Sequence, residues 1–164
     1  LPSSPQPTNI SATPSPTLQP TANPTPIPTS STDPAQVTVL TEVEAVERVR
    51  QLVEGKEKLF APPFDRELLA QVAVGDEYEK RKGSIDWLQK NNAYYNYGEF
   101  EVKTLGQFSV QGTQATVDVE ISENPTLYVN GQVDRSQSIP SRGRYRCTLQ
   151  FDRQSWKIAT LTKI

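Results

Sequence analysis

Proline is distributed very unevenly along this chain, and that distribution limits where a folded domain can lie. Ten of the 14 prolines fall before residue 35, in a segment otherwise made mostly of Thr, Ser, Ala, Gln and Asn. Each proline fixes φ, removes an amide donor and favours an extended residue before it. The few apolar residues there cannot offset the entropy lost on ordering. We therefore predict a disordered, partly polyproline-II linker over residues 1–34 and a folded domain over residues 35–164.

The composition excludes the commonest kinds of catalytic and metal site. The chain has no histidine, so it has no Ser-His-Asp or Cys-His nucleophile system and no HExxH zinc site. Its one cysteine, Cys147, cannot form an internal disulfide or a cysteine-based zinc site. We predict no catalytic residues, no metal and no cofactor.

Charge and hydropathy bear on the partners of the chain. Seventeen Lys and Arg stand against 19 Asp and Glu, a near balance that argues against a nucleic-acid-binding surface. No run of about 18 apolar residues occurs, so we predict no membrane-spanning segment in this chain. The absence of Met, also at position 1, predicts that the chain is a fragment or a processed C-terminal part of a longer chain. Linkers like the Pro-rich segment separate a domain from a membrane anchor, an envelope layer or another domain, and we expect the parent protein to be membrane-anchored.

The first half of the domain has the periodicity of helices. Thr41 and Glu44 fit a capping box, and apolar residues then follow helical spacing to about Leu59. Two prolines stop this helix, and Asp65 is placed to cap a second, short one that ends near Gly75. A third, strongly charged helix is predicted over residues 76–90, with Glu79 to Lys82 on its solvated side.

After residue 92 the apolar period changes to two, which predicts strands. The alternation is imperfect over residues 94–105, whereas residues 115–121 and 145–151 alternate cleanly between apolar and polar. Pro125 is expected to interrupt a strand, and Asn130-Gly131 predicts a hairpin. Helices followed by antiparallel strands indicate an α+β fold, with N-terminal helices packed on a curved sheet. By analogy, this is the cone-like architecture of the nuclear-transport-factor-two-like superfamily.

Four aromatic residues form the first candidate site. Trp87, Tyr94, Tyr95 and Tyr97 are close in sequence where the third helix passes into the first strand. They either seal that junction or form the wall of a groove for a partner peptide, since Tyr and Trp combine apolar area with a polar group. Tyr94 and Tyr95 should point to opposite faces of the strand, so both interpretations can hold together.

Three arginines on a late strand form the second candidate site. Arg142, Arg144 and Arg146 share one parity and would line one face of the sheet. Guanidinium groups bind carboxylates in a bidentate manner, so Arg144 and Arg146 are predicted to contact an acidic partner. The alternative is a solvated face paired with Asp118 or Glu120.

Several short motifs also resemble those of one known family. They are Trp87 to Asn92, Tyr94 to Tyr97, Ala115 to Val117, Glu123, Leu127-Tyr128, Tyr145-Arg146 and Trp156 to Ile158. In this order they resemble the C-terminal intermembrane-space (IMS) domain of the plastid-division family named for accumulation and replication of chloroplasts, which cyanobacterial ZipN shares. The resemblance implies a non-catalytic domain on the far side of a membrane from the division ring, where it binds an envelope-side division partner.

We therefore expect an extracytoplasmic interaction domain, carried on a linker, that binds a protein or peptide partner and anchors cell or plastid division machinery. Two other classes remain open. One is a ligand-sensing C-terminal domain of a signalling protein such as a Ser/Thr kinase. The other is a cone-fold enzyme that works without histidine.

Overall fold

Three helices precede a five-stranded sheet in the structure, a computed structural model that describes residues 39–164. The predicted linker over residues 1–34 lies outside these residues. The elements are α1 (Glu42–Leu59), α2 (Arg66–Val72), α3 (Gly75–Lys90), β1 (Ala93–Gln111), β2 (Gln114–Val129), β3 (Gln132–Asp134), β4 (Ser141–Asp152) and β5 (Ser155–Lys163).

The helix ends follow from local sequence. The capping box is confirmed, because the Thr41 side chain accepts from the Glu44 amide while Glu44 accepts from the Thr41 amide at 2.8 Å. Asp65 caps α2 by accepting from the Leu68 amide at 2.9 Å. The second helix was predicted to end near Gly75, and it ends three residues earlier, at Val72. Gly75 begins α3, and its φ of +59° sets the turn between the two helices.

The sheet is antiparallel and curved, in the order β1-β2-β4-β5, with β3 paired to the end of β2. The hairpin at Asn130-Gly131 has φ of 52° and 78°, as a tight primed turn requires. The α+β fold with N-terminal helices on a curved antiparallel sheet is confirmed. The closer likeness to a nuclear-transport-factor-two-like cone stays a prediction.

The core lies between α1 and the inward face of β2 and β4. On β2 every second residue from Ala115 to Ile121 is at most 3% exposed, and Cys147 and Leu149 of β4 are fully buried beside them. Val49 and Leu52 of α1 are fully buried as well. Each such aliphatic side chain contributes about 1.5–3 kcal/mol when removed from water. This packing fixes which face of every strand points inward.

Two irregularities in β1 explain its imperfect alternation. The register with β2 shifts between Tyr97 and Phe100 and again between Thr104 and Phe108, where β1 carries extra residues. One extra residue in a strand moves every later side chain to the opposite face of the sheet. In β1 the odd-numbered residues therefore point inward up to Tyr97, and the even-numbered residues point inward from Phe100.

Pro125 does not interrupt a strand, so that prediction is wrong. β2 continues through Pro125, which lies opposite Tyr97 of β1. Leu127 directs its amide away from β1, to the Ser138 hydroxyl at 2.9 Å. Residues two apart on a strand direct their backbone groups to the same side, so the backbone nitrogen of Pro125 also points away from β1. The amide donor that proline lacks therefore costs no hydrogen bond between β1 and β2.

Candidate functional site

A cavity of about 560 Å³ opens between α3 and the inward face of the sheet. We call it the α3 pocket. Its helical wall consists of Lys80, Arg81, Gly83, Ser84, Trp87 and Leu88. Its other walls consist of Phe60, Tyr95, Tyr97, Glu123, Pro125 and Gln137.

The helical wall follows from the spacing of residues along α3. Ile85 and Leu88 are buried against the core, whereas Trp87 is 50% exposed on the adjacent flank. Lys80, Gly83 and Trp87 are three to seven residues apart, so they lie on one stripe of the helix. This stripe faces the cavity and places the exposed indole at its edge.

The sheet wall is aromatic. Tyr95 and Tyr97 are on the inward face of β1, with ring centroids 5.6 Å apart, and Phe60 is 6.2 Å from Tyr97. The Tyr95 amide donates to the Phe60 carbonyl at 2.8 Å, which ties the end of α1 to β1. The pocket therefore presents three rings whose positions are fixed by backbone hydrogen bonding and packing.

Arg81 and Glu123 line the α3 pocket, and each pairs with a buried residue outside the lining, Glu77 and Lys56 respectively; we call these four side chains the charged floor. Lys56 of α1 donates to Glu123 of β2 at 2.5 Å, with side-chain exposures of 8% and 12%. Within α3, the Arg81 guanidinium pairs with Glu77, which is 2% exposed. Each cation also lies over a ring, Lys56 at 5.5 Å from Tyr97 and Arg81 at 5.7 Å from Phe60.

Burial sets the protonation of this floor. It lowers the pKa of Lys56 to about 8, and nearby Arg81 adds to the effect, whereas Glu123 favours the charged form. Burial and the charge of Glu123 raise the pKa of Tyr97 well above its ordinary value. At neutral pH Lys56 therefore keeps its charge beside Glu123, and the Tyr97 phenol is uncharged.

Most of this floor was not predicted from the sequence. Arg81 was placed on the solvated side of its helix, but it is 9% exposed and faces the core, so that prediction is wrong. Lys56 falls in the apolar register of α1, four residues after Leu52 and three before Leu59. A lysine in an otherwise apolar stripe is a signal that points to a buried partner.

The three arginines lie on the other face of the sheet, outside the α3 pocket. Arg146 binds Asp118 through two hydrogen bonds of 2.8 Å, and Arg142 donates to Glu120 at 2.6 Å. These bonds hold the pKa of both carboxyl groups below their usual values. Within residues 39–164, Arg144 makes no ion pair, so it is the arginine of this outer face with a charge left to offer.

Tyr94 also lies on the outer face. It stacks on Tyr128 with ring centroids 4.9 Å apart and an angle of 5° between the planes. The six predicted partner-binding residues thus divide into two sets: Trp87, Tyr95 and Tyr97 meet in the α3 pocket, whereas Tyr94, Arg144 and Arg146 lie on the opposite side. One groove cannot include both sets.

Other kinds of site find little support among the described residues. Within residues 39–164 there is no group of three or more carboxylate or thiol side chains that could hold a metal ion. Cys147 is buried, and burial raises the pKa of its thiol well above the ordinary value. None of the three helices is long and apolar enough to cross a membrane.

A protein-family model and a solved structure both match this chain. The model of the family described as ARC6-like, IMS domain, matches residues 45–159. The crystal structure of the intermembrane space region of chloroplast protein ARC6 aligns with a TM-score of 0.66 and 18% identity, over 77% of this chain and 98% of that one. At this identity the likeness shows the fold.

Other matches are weaker. A de novo designed beta-sheet protein and the Kfla4162 protein from Kribbella flavida align with TM-scores of 0.37 and 0.40 and identities of 19% and 9%. Each covers 74% of this chain and 90% of its own. Scores this low support no argument. No curated protein matches the chain significantly.

Proposed function

Because this chain belongs to the ARC6-like IMS domain family, we propose that it is a non-catalytic interaction domain whose α3 pocket binds a protein partner. The family is a division-related one of plastid and cyanobacterial proteins, as the sequence resemblance predicted. The proposal adds that the domain anchors division machinery to a partner on the envelope side. It places the domain in an intermembrane or periplasmic space, carried by the linker of a membrane-anchored parent.

The exposed indole at the edge of a preformed aromatic cavity carries this proposal. Trp87 leaves half of its surface in water, although Tyr95 and Tyr97 stand across the pocket from it. Tyr and Trp supply large contact areas at a small cost in side-chain entropy, and they are enriched at binding hot spots. The two ion pairs below hold the rings in place, so little ordering remains to be done on binding.

The charges around the α3 pocket indicate the chemistry of the partner. Arg81 is paired with Glu77 and Lys56 with Glu123, so the floor is close to neutral. Lys80 at the rim makes no ion pair within residues 39–164. A peptide segment with an apolar side chain next to an acidic one fits these walls.

A small-molecule sensor is the second candidate. The cavity volume of about 560 Å³ lies within the range of roughly 300–1,000 Å³ that is usual for such ligands. The enzyme alternative finds less support, because Lys56, whose pKa alone is lowered among the amines of residues 39–164, has a side chain that is 8% exposed and already engaged with Glu123.

The proposal can be tested with a random 12-residue peptide library displayed on phage and selected on the full 164-residue chain. Trp87→Ala and Tyr95→Ala are expected to weaken binding of the selected peptides at least tenfold, because each removes a central aromatic contact. Tyr94→Ala is the matched control, since it removes the same group from the neighbouring position on the opposite face. It should leave the affinity within twofold.

Other results would redirect the proposal. Peptides that depend on Tyr94 and not on Tyr95 would assign recognition to the outer face. A failure to select any peptide that depends on Trp87 would contradict peptide binding in the α3 pocket and favour the sensor. A chain without residues 1–34 should bind as well as the full chain, whereas loss of binding would show that the linker carries recognition.

A further inference from the structure

We propose that Gly83 is the point of closest approach to the partner, where an apolar side chain of the bound peptide rests directly on the backbone of α3. This inference rests on the proposed function of the α3 pocket. It adds a specificity-determining residue and the kind of group that the residue admits.

Gly83 sits in the middle of α3, where glycine is unfavourable. It is the ninth of 16 residues of the helix, and a glycine in such an interior position weakens a helix relative to alanine. A Cβ atom built at Gly83 would meet no atom within 4 Å. Neither the packing of the domain nor its backbone conformation therefore requires a glycine at this position.

The other seven glycines of the chain are accounted for by the fold. Four of them adopt a positive φ, namely Gly75, Gly106, Gly112 and Gly131. At the other three a Cβ would meet a neighbouring atom at 3.0–3.3 Å, namely Gly55, Gly98 and Gly143. Gly83 is the one glycine that has both open space at its Cβ position and no positive φ, and it lines the α3 pocket.

The surroundings of Gly83 give it the shape of a notch. The long side chains of Lys80 and Trp87 stand one turn to either side. The Ser84 hydroxyl donates to the Lys80 carbonyl at 3.1 Å, so it is folded onto its own helix. Across the pocket stand Tyr95 and Tyr97. A notch with a bare backbone floor and aromatic walls admits one bulky apolar side chain.

Lys80 determines which peptide residue is favoured next to the inserted apolar side chain. Its ammonium group makes no ion pair among residues 39–164, whereas the neighbouring cations Arg81 and Lys82 are paired with Glu77 and Glu79. Charge complementarity therefore favours a carboxylate on the peptide beside the inserted apolar residue. The occupant is thus an extended segment of a protein partner with a bulky apolar residue adjacent to Asp or Glu.

The test uses library peptides whose binding to the full chain depends on Trp87 and Tyr95. Gly83→Ala should raise the melting temperature by about 2–5 °C, because alanine favours the helix. The same variant should weaken binding of these peptides about tenfold, since the methyl group fills the notch. Gly83→Leu should weaken it further, and Lys90→Leu, which adds the same side chain outside the pocket, should leave the affinity unchanged.

The outcomes separate this inference from the proposed function. If Gly83→Ala stabilises the chain and leaves the affinity unchanged, close approach at Gly83 is overturned while the pocket keeps its role. If no library peptide depends on Trp87 and Tyr95, both fall. Lys80→Glu adds an independent check, because it should reject acidic peptides, and unchanged binding would overturn the assignment of Lys80.

Discussion

The buried pair of Lys56 and Glu123 predicts an unusual rise in stability under mildly alkaline conditions. Burial lowers the pKa of Lys56 to about 8 in the folded state, against an ordinary value of 10.5. Between these two values the unfolded chain binds more protons than the folded one, so the free energy of unfolding rises with pH. Well below pH 8 Lys56 is protonated in both the folded and the unfolded state, so folding bears the full free-energy cost of burying its charge.

The magnitude follows from the two pKa values. Proton linkage gives a gain of roughly 1 kcal/mol from Lys56 between pH 7 and pH 9. Cys147 and Tyr97 act in the opposite direction, because burial raises the pKa of both groups and favours the unfolded chain once they ionise. The effect of Lys56 must therefore be isolated by comparison with a variant.

A double variant, Lys56→Met with Glu123→Gln, removes both charges at similar volume and leaves Cys147 and Tyr97 in place. Urea unfolding of both proteins at pH 7, 8 and 9 measures the difference in their free energies of unfolding. This difference should shift in favour of the wild-type chain by roughly 1 kcal/mol between pH 7 and pH 9. A difference that stays constant across this range refutes the titration of Lys56 near pH 8.

Three further predictions concern the helix cap, the outer face and the thiol. Thr41→Ala should lower the free energy of unfolding, measured by urea denaturation, by about 1 kcal/mol, because it removes the side-chain cap of α1. An unchanged midpoint of the urea transition would contradict this role. Arg144→Ala with Arg146→Ala should leave the affinity for peptides selected on the α3 pocket within about twofold, because both arginines lie on the outer face, and a tenfold loss at low salt in the folded double variant would assign recognition to that face. Cys147 should react with a thiol reagent only after denaturation, since it is buried, and rapid reaction of the native chain would contradict that burial.

The parts of the fold that could be predicted are those in which one local rule acts alone. The strand over residues 115–121 alternates because one face packs on α1, and the capping box of Thr41 lies within four residues. The hairpin at Asn130-Gly131 is equally local, because the turn type demands positive φ at both residues. In each case the sequence signal and the physical cause occupy the same few residues.

The parts that escaped prediction depend on distant strands. Pro125 appeared to end a strand, and its tolerance depends on which way its neighbour Leu127 directs its amide. The imperfect alternation of β1 depends on an extra residue between Tyr97 and Phe100, which only the pairing with β2 defines. The burial of Arg81 depends on Glu77 and on the ring of Phe60 from another element.

The charged floor also explains why the α3 pocket stays open. The inward row of β2 is apolar from Ala115 to Ile121 and is covered by α1, but it changes to charge at Glu123. Aliphatic side chains at this end would pack together and fill the space, because apolar cores close to high density. Glu123 and Lys56 must instead keep the one geometry that satisfies both charges, since an unpaired buried charge is costly. The same interaction that makes this end of the core pH-sensitive thus holds Tyr97 against a rigid floor and leaves room above it for a partner.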